Sequence, residues 1–338
     1  MKSVVHHLLD RRVLSYAQCH ALFSSILHAH FIEQASVLAL FAAKQETADE
    51  LLAIRDFLLQ YTKFDHQNFH VDSDTIVDMT GTGGDGLKTF NISTAASLVV
   101  ASLGIPVVKH GGGRVTSTTG SADVIEHLCI TESDSAKETA HALESFSYAF
   151  LRASQFNSVF DQFKTVRRML GFPTLLNILG PLINPVSPKR LVLGVYRASL
   201  VDVVADVLVQ LGVIHALVVH AQSGLDEFCV CSETRVSEIH HGQIKKYTIS
   251  AESLGLPHYS LADLSVTDAI QSACVIRDIL GGQLYGAKRD AVLLNAAAGF
   301  VVADVVENLN DGLLVARELI DNGKTACFLQ KLTGGYDV

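Results

Sequence analysis

The chain has no tryptophan, only six prolines among 338 residues, and no CxxC pair among its six cysteines. The missing tryptophan excludes nothing, but the other shortages are informative. Cys19, Cys129, Cys229, Cys231, Cys274 and Cys327 are scattered, and a chain this long can bury its own core, so a disulfide framework is excluded and reduced thiols are expected. Basic residues are in deficit: 26 Lys plus Arg against 35 Asp plus Glu give a net charge of −9. Such a chain has no general attraction for nucleic acid or anionic lipid, so any phosphate must be held locally. Every apolar run is broken before the roughly 18 residues a membrane span needs. The start, MKSVVHHLLDRR, lacks a secretory apolar stretch with a cleavage site. With 49% hydrophobic and 18% charged residues, disorder, collagen and coiled coil are also excluded. The expectation is a cytoplasmic enzyme-sized globule with neither a nucleic-acid nor a membrane partner.

No glycine or proline occurs before Met79, and apolar residues recur there at helical spacing, as in Leu22, Phe23, Ile26 and Leu27, then Val37, Leu38, Leu40 and Phe41. This predicts a helical domain over residues 1–70. From there short apolar runs alternate with Gly-rich loops and amphipathic stretches, which predicts an α/β domain over 71–338 with a mainly parallel central sheet. Strands are expected at 76–80, 105–109, 190–196 and 216–220. Helices are expected at 92–103, 121–128, 200–211 and about 305–322. Residues 172–188 hold four of the six prolines. That stretch reads as too broken for a strand, and the segment 164–188 is expected to lead back against the helical domain.

The sharpest motif is Asp78-Met79-Thr80-Gly81-Thr82-Gly83-Gly84-Asp85-Gly86, followed by Thr89-Phe90-Asn91-Ile92-Ser93-Thr94. Glycines let backbone N–H groups approach an anion, and Asn91, Ser93 and Thr94 add donors where the next helix starts. Asp85 is unusual for a loop that binds phosphate alone, but suits sugar hydroxyls or a chelated metal. A second loop, Lys109-His110-Gly111-Gly112-Gly113-Arg114, follows one βαβ length later, with Ser121 at another helix start. Both loops should therefore share one rim of the sheet, where open α/β sheets bind ligands. Asp226 and Glu227, after the run 216–220, add hard oxygen donors suited to Mg²⁺. The histidine pairs His6-His7, His28/His30 and His240-His241 read as surface or satisfied groups. Cys229 and Cys231 read as packed thiols on one face of a strand.

GTGGDG with TFNIST, then KHG, GSAD, VRRMLG, LLNILGPLINP and GLDE occur in the order seen in anthranilate phosphoribosyltransferases. Over most of its length the chain resembles that family. The resemblance implies a nucleoside phosphorylase/phosphoribosyltransferase type of fold, a homodimer through the helical domain, Mg²⁺ as cofactor, and transfer of phosphoribose from phosphoribosyl pyrophosphate to anthranilate. It implies that Gly81, Gly84, Asp85, Thr89, Asn91, Ser93, Thr94, Lys109 and Ser121 hold the donor, and that Ser93, Asp226 and Glu227 contact Mg²⁺. His110, Gly112, Arg114 and Arg167 fall on the acceptor side, with Arg167 near the acceptor carboxylate. Asp85, Lys109 and Arg167 are the expected catalytic residues. No nucleophilic side chain is required, because pyrophosphate departure needs charge stabilisation and the amine then needs alignment.

The acceptor side departs from the family pattern. Gly112 and Gly113 stand where the family has Asn and Arg, Asn157-Ser158-Val159 replaces its HPA, and Pro173 replaces the Arg of LGxRT. Three other readings stay open at this point: a phosphoribosyltransferase for another aromatic amine or base, a pyrimidine nucleoside phosphorylase-like enzyme, and a non-catalytic nucleic-acid-binding relative.

Overall fold

The structure, a computed structural model, describes residues 2–113 and 120–335. Among these residues seven strands form one sheet: β1 (Val77–Gly81), β2 (Val107–Gly111), β3 (Tyr148–Arg152), β4 (Arg190–Gly194), β5 (His215–Ala221), β6 (Thr234–His240) and β7 (Gln243–Ile249). Their order is β3-β2-β1-β4-β5-β6-β7. The first five are parallel, while β6 and β7 add an antiparallel edge. The β6–β7 link turns at His241 (φ 49°) and Gly242 (φ 79°), two left-handed residues whose twist suits a tight hairpin.

Alternation along the central strands explains why both faces are covered. Val77 and Met79 of β1, Val192 of β4, and Leu217 and Val219 of β5 enter one core. That core also contains the helices Ile92–Ser102, Ala287–Val302 and Leu309–Asp321. The intervening Leu191, Leu193, Ala216 and Val218 enter the opposite core. There they meet the helices Tyr16–Ile26, Phe31–Lys44, Ala48–Leu59 and Leu200–Gln210.

The N-terminal helices form where the chain has no breaker and good caps. Ser15 pairs with Gln18, and Thr47 with Glu50, in reciprocal capping boxes. Buried Glu50 then takes Lys44 at 2.7 Å and the Leu14 N–H at 2.8 Å, tying three segments together.

Residues 172–188 are less broken than expected. They contain the helix Leu175–Leu182 with Pro181 inside it. A proline in the final turn removes only a terminal bond, so the helix survives it. Its Leu175, Leu176, Ile178 and Leu179 share the core of the N-terminal helices, as do Val159, Phe163 and Val166 of the helix Val159–Leu170. Cys229 and Cys231 lie in a bend rather than a strand, because the Cys231 N–H turns back to Cys229 Sγ at 3.2 Å.

Candidate active site

The strand order reverses between β1 and β4, which opens a crevice at their C-terminal ends. Gly81 and Gly194 are register partners at that rim, and the segment after β5 lays Asp226 across both. A Cβ on Gly81 would collide with the Asp226 carboxylate, and one on Gly194 would overlap the Asp226 carbonyl. The loop after β1 then turns through Gly83 (φ 61°), Gly84 (φ 85°) and Gly86 (φ 72°), and the Gly83 N–H donates to Asp226 Oδ2 at 2.7 Å. Glycines at these positions follow from close approach and left-handed backbone.

Three carboxyl groups converge on this rim. Asp226 shares a hydrogen bond with Asp85, which also accepts the Leu87 N–H at 3.1 Å. Glu227 Oε1 accepts the Ser93 N–H at 3.2 Å. Burial, and then the charge of Asp226, push Asp85 up to about 7 and Glu227 up to about 8; burial also raises Asp226. Carboxyls held this close favour either a shared proton or a counter-cation. Lys109, 1% exposed, lies behind them: its ammonium donates to the Met79 carbonyl at 2.5 Å and to Ser93 Oγ at 3.1 Å. Burial lowers its pKa, while Asp78, Glu227 and Asp226 oppose that shift. Asp78 is in turn held by Asn184, whose Nδ2 donates to Asp78 Oδ2 at 2.9 Å and to the Val108 carbonyl at 3.1 Å.

Two adjoining cavities open beside the rim. The smaller, about 180 Å³, is lined by Gly81, Asp85, Thr89, Asn91, Ser93, Asp226 and Glu227. The larger, about 690 Å³, is lined by His110, Gly113, Phe160 and Gly180 among others. Gly81, Gly112, Ser121 and Arg167 line both. Ser121 begins the helix Ser121–His127. Asn91 is held by Ser272, which accepts its N–H at 3.0 Å and donates to its Oδ1 at 3.1 Å.

Arg167 is 9% exposed, and no carboxylate pairs with it among the described residues. Its Nε has no hydrogen-bond partner, the Phe160 ring lies 5.9 Å from the guanidinium carbon, and burial lowers its pKa to about 10. His110, 3% exposed, holds the Gly180 carbonyl with Nδ1 at 3.1 Å, and its Nε2 is unpartnered. Burial pushes its pKa down to about 4, so the ring is neutral at ordinary pH.

Of the expected site residues, Gly84, Thr94 and Lys109 do not line either cavity. Gly84 abuts Pro173, whose ring a Cβ there would strike. Thr94 is fully buried with an unpartnered Oγ1, and Lys109 points beneath the loop toward β1. Arg114 lies outside the described residues. Pro173, expected on the acceptor side, meets the β1 loop instead. Asn157 likewise serves structure: its Nδ2 donates to the Leu58 carbonyl at 2.7 Å and to Thr62 Oγ1 at 3.1 Å. At Gly112 a Cβ meets nothing within 4 Å, and at Gly113 only Asp123 Oδ1 at 3.6 Å, so both have room for a side chain. Sequence reasoning passed over Asn177, which lines both cavities and donates to the Thr82 carbonyl at 3.3 Å, and over Asn184. Both stand inside the LLNILGPLINP run, where a polar residue among apolar neighbours was the available signal.

Residues 73–326 match the model of a glycosyl transferase family, a/b domain. An anthranilate phosphoribosyltransferase from Anaeromyxobacter dehalogenans is 40% identical over 100% of this chain and 99% of its own length. One from Lacticaseibacillus paracasei is 35% identical over 100% and 98%. The crystal structure of the Thermus thermophilus anthranilate phosphoribosyltransferase superposes with a TM-score of 0.87 at 30% identity, covering 98% of each chain. The Saccharomyces cerevisiae enzyme, solved in complex with phosphoribosyl pyrophosphate and Mg, has the same fold at 24% identity and a TM-score of 0.87, covering 98% of this chain and 96% of its own. The chain belongs to the anthranilate phosphoribosyltransferase family of glycosyl transferases.

Proposed function

We propose that this protein transfers the phosphoribosyl group of phosphoribosyl pyrophosphate to anthranilate and releases pyrophosphate, a step of tryptophan biosynthesis. The observation that carries the reading is Arg167, a buried guanidinium without an anionic partner on the wall shared by two cavities. A buried charge of this kind is costly until an anion meets it, and the acceptor's carboxylate is that anion.

On the donor side, the loop amides after β1, with Asn91, Ser93 and Ser121, hold the phosphates, while Asp85 faces the ribose hydroxyls or the chelated ion. Lys109, tied to Ser93, acts from behind: it keeps positive charge beneath a rim that would otherwise hold only carboxyls. Asp226, Glu227 and Ser93 would hold Mg²⁺. Three neighbouring, partly buried carboxyls with raised pKa values suit a hard divalent cation better than they suit one another. When bound, Mg²⁺ supplies charge neutralisation on the pyrophosphate. The C1′–oxygen bond breaks as the amine nitrogen bonds to C1′. The chain's part is to fix the two reactants in line across Gly112 and Ser121, where the cavities join. His110, neutral and with its unpartnered Nε2 buried in the wall, lines the larger cavity proposed for the aromatic amine.

Residues 1–70 are proposed as the helical domain, with 164–188 packed on it, and 71–338 as the α/β domain. The exposed Leu9, Val13, Tyr16, Phe31 and Ile32 suit a homodimer through that helical domain. No described helix is long and apolar enough to cross a membrane, and a cytoplasmic location fits the reduced thiols. A coupled pyrophosphate-release assay across a panel of aromatic amines and bases tests the function. Anthranilate is expected to give the highest kcat/KM, and a base or a different amine exceeding it would overturn the assignment.

A further inference from the structure

At the end of the sheet away from the cavities, three segments distant in sequence bring metal-ligating side chains together. His215 opens β5 and His240 closes β6, and the two are directly opposed in the antiparallel ladder, with ring centroids 4.5 Å apart. Asp304 follows the helix Ala287–Val302, with Oδ1 2.7 Å from His215 Nδ1 and 4.0 Å from His240 Nε2. The donor atoms of the three residues all lie within 4.8 Å of one another. We propose that His215, His240 and Asp304 form a binding site for a divalent transition-metal ion of the zinc type, with the remaining coordination position open to water.

The donor set decides the class of ion. Two imidazoles and one carboxylate are borderline ligands that favour zinc over the hard, oxygen-seeking Mg²⁺. The surroundings are built to hold these donors. Asp304 sits at φ 56°, with its N–H on the Val301 carbonyl at 2.9 Å, and its Oδ2 is taken by Arg190 at 2.5 Å, which leaves Oδ1 facing the histidines. Arg190 is itself fixed to the carbonyls of Asp74 and Val302. Glu238 Oε1 lies 3.4 Å from His215 Nε2, the carboxylate partner that orients a metal-bound imidazole through its other nitrogen. His215 is buried and His240 is half-exposed, so one ligand is anchored and the other can adjust. The seven residues of β5 span roughly 20 Å, so this cluster is separate from the phosphoribosyl site. The proposal therefore stands whether or not that reading is correct.

The test is titration calorimetry of the full chain, stripped with chelator and then saturated with Mg²⁺, against zinc chloride alone. Wild type is expected to take up one zinc ion per chain. His240→Gln, at a half-exposed position that should not disturb folding, is expected to weaken that uptake by about tenfold or more. Asp304→Asn is expected to do the same, and pyrophosphate release with Mg²⁺ is expected to stay unchanged in His240→Gln. Absence of zinc binding in wild type, or wild-type zinc affinity in either folded variant, would overturn the site.

Discussion

At Arg167, desolvation of a guanidinium sets a cost that only an anionic ligand recovers. Arg167→Ala is expected to lower kcat/KM for anthranilate by about a hundredfold or more, chiefly through KM, with the KM for phosphoribosyl pyrophosphate little changed. Arg167→Lys should recover only part, because an ammonium lacks the planar fork that meets a carboxylate in two places. Steady-state kinetics with each substrate varied in turn separates these effects, and an unchanged anthranilate KM in the alanine variant would remove Arg167 from the acceptor site. Gly81 makes the complementary test on the donor side. A methyl group there meets the Asp226 carboxylate, so Gly81→Ala is expected to raise the Mg²⁺ concentration needed for half-maximal activity while far-UV circular dichroism stays native. A wild-type Mg²⁺ titration in that variant would refute the role given to Asp226. The glycines, the carboxyls and Arg167 were all legible as motif residues. The burial of Lys109 and Thr94 was not, because it depends on which side of the rim each side chain faces, a property of packing rather than spacing.

At the scale of elements, β2 meets the helix Leu175–Leu182 through a polar contact, His110 Nδ1 on the Gly180 carbonyl beside Pro181. Burial depresses the folded pKa of His110 to about 4, below the ordinary histidine value near 6.5, so the unfolded chain binds the extra proton in that interval. This contribution is complete above about pH 6.5 and is lost as pH falls toward about 4. His110→Gln keeps a polar contact without a titrating ring, so its Tm should fall less steeply than that of wild type across this interval in thermal melts. Equal slopes would mean that the ring is solvated. The parallel strands β1, β2, β4 and β5 and the helices Ile92–Ser102, Ser121–His127 and Leu200–Gln210 were legible, since each pairs a short apolar run with a glycine or capping signal; β3 was not expected. The helix Ala287–Val302 was not: it is buried on nearly every side and shows no amphipathic period. The strands β6 and β7 were missed too, because their turn is His241-Gly242 rather than one of the usual hairpin dipeptides. The helix Leu175–Leu182 was obscured by Pro181, which a last turn tolerates.

At the scale of the molecule, a net charge of −9 surrounds a rim that must attract a polyanion. Amide donors, one buried lysine and one buried arginine face three neighbouring carboxyls there, so the proposed donor is expected to bind together with a cation. The same topology places the crevice at the reversal between β1 and β4 and sets the helices Val159–Leu170 and Leu175–Leu182 beside it, which is why Arg167 and Asn177 reach the same cavities as the β1 loop. That coupling of distant segments was only partly visible in the sequence: motif order implied one site, but nothing in the spacing of residues 80 and 167 brings them together. The central measurement is calorimetric binding of phosphoribosyl pyrophosphate to the full chain, once with Mg²⁺ and once with chelator. The account predicts saturable heat with Mg²⁺ and at least about tenfold weaker binding without it. Equal affinity under both conditions, or no heat in either, would contradict it.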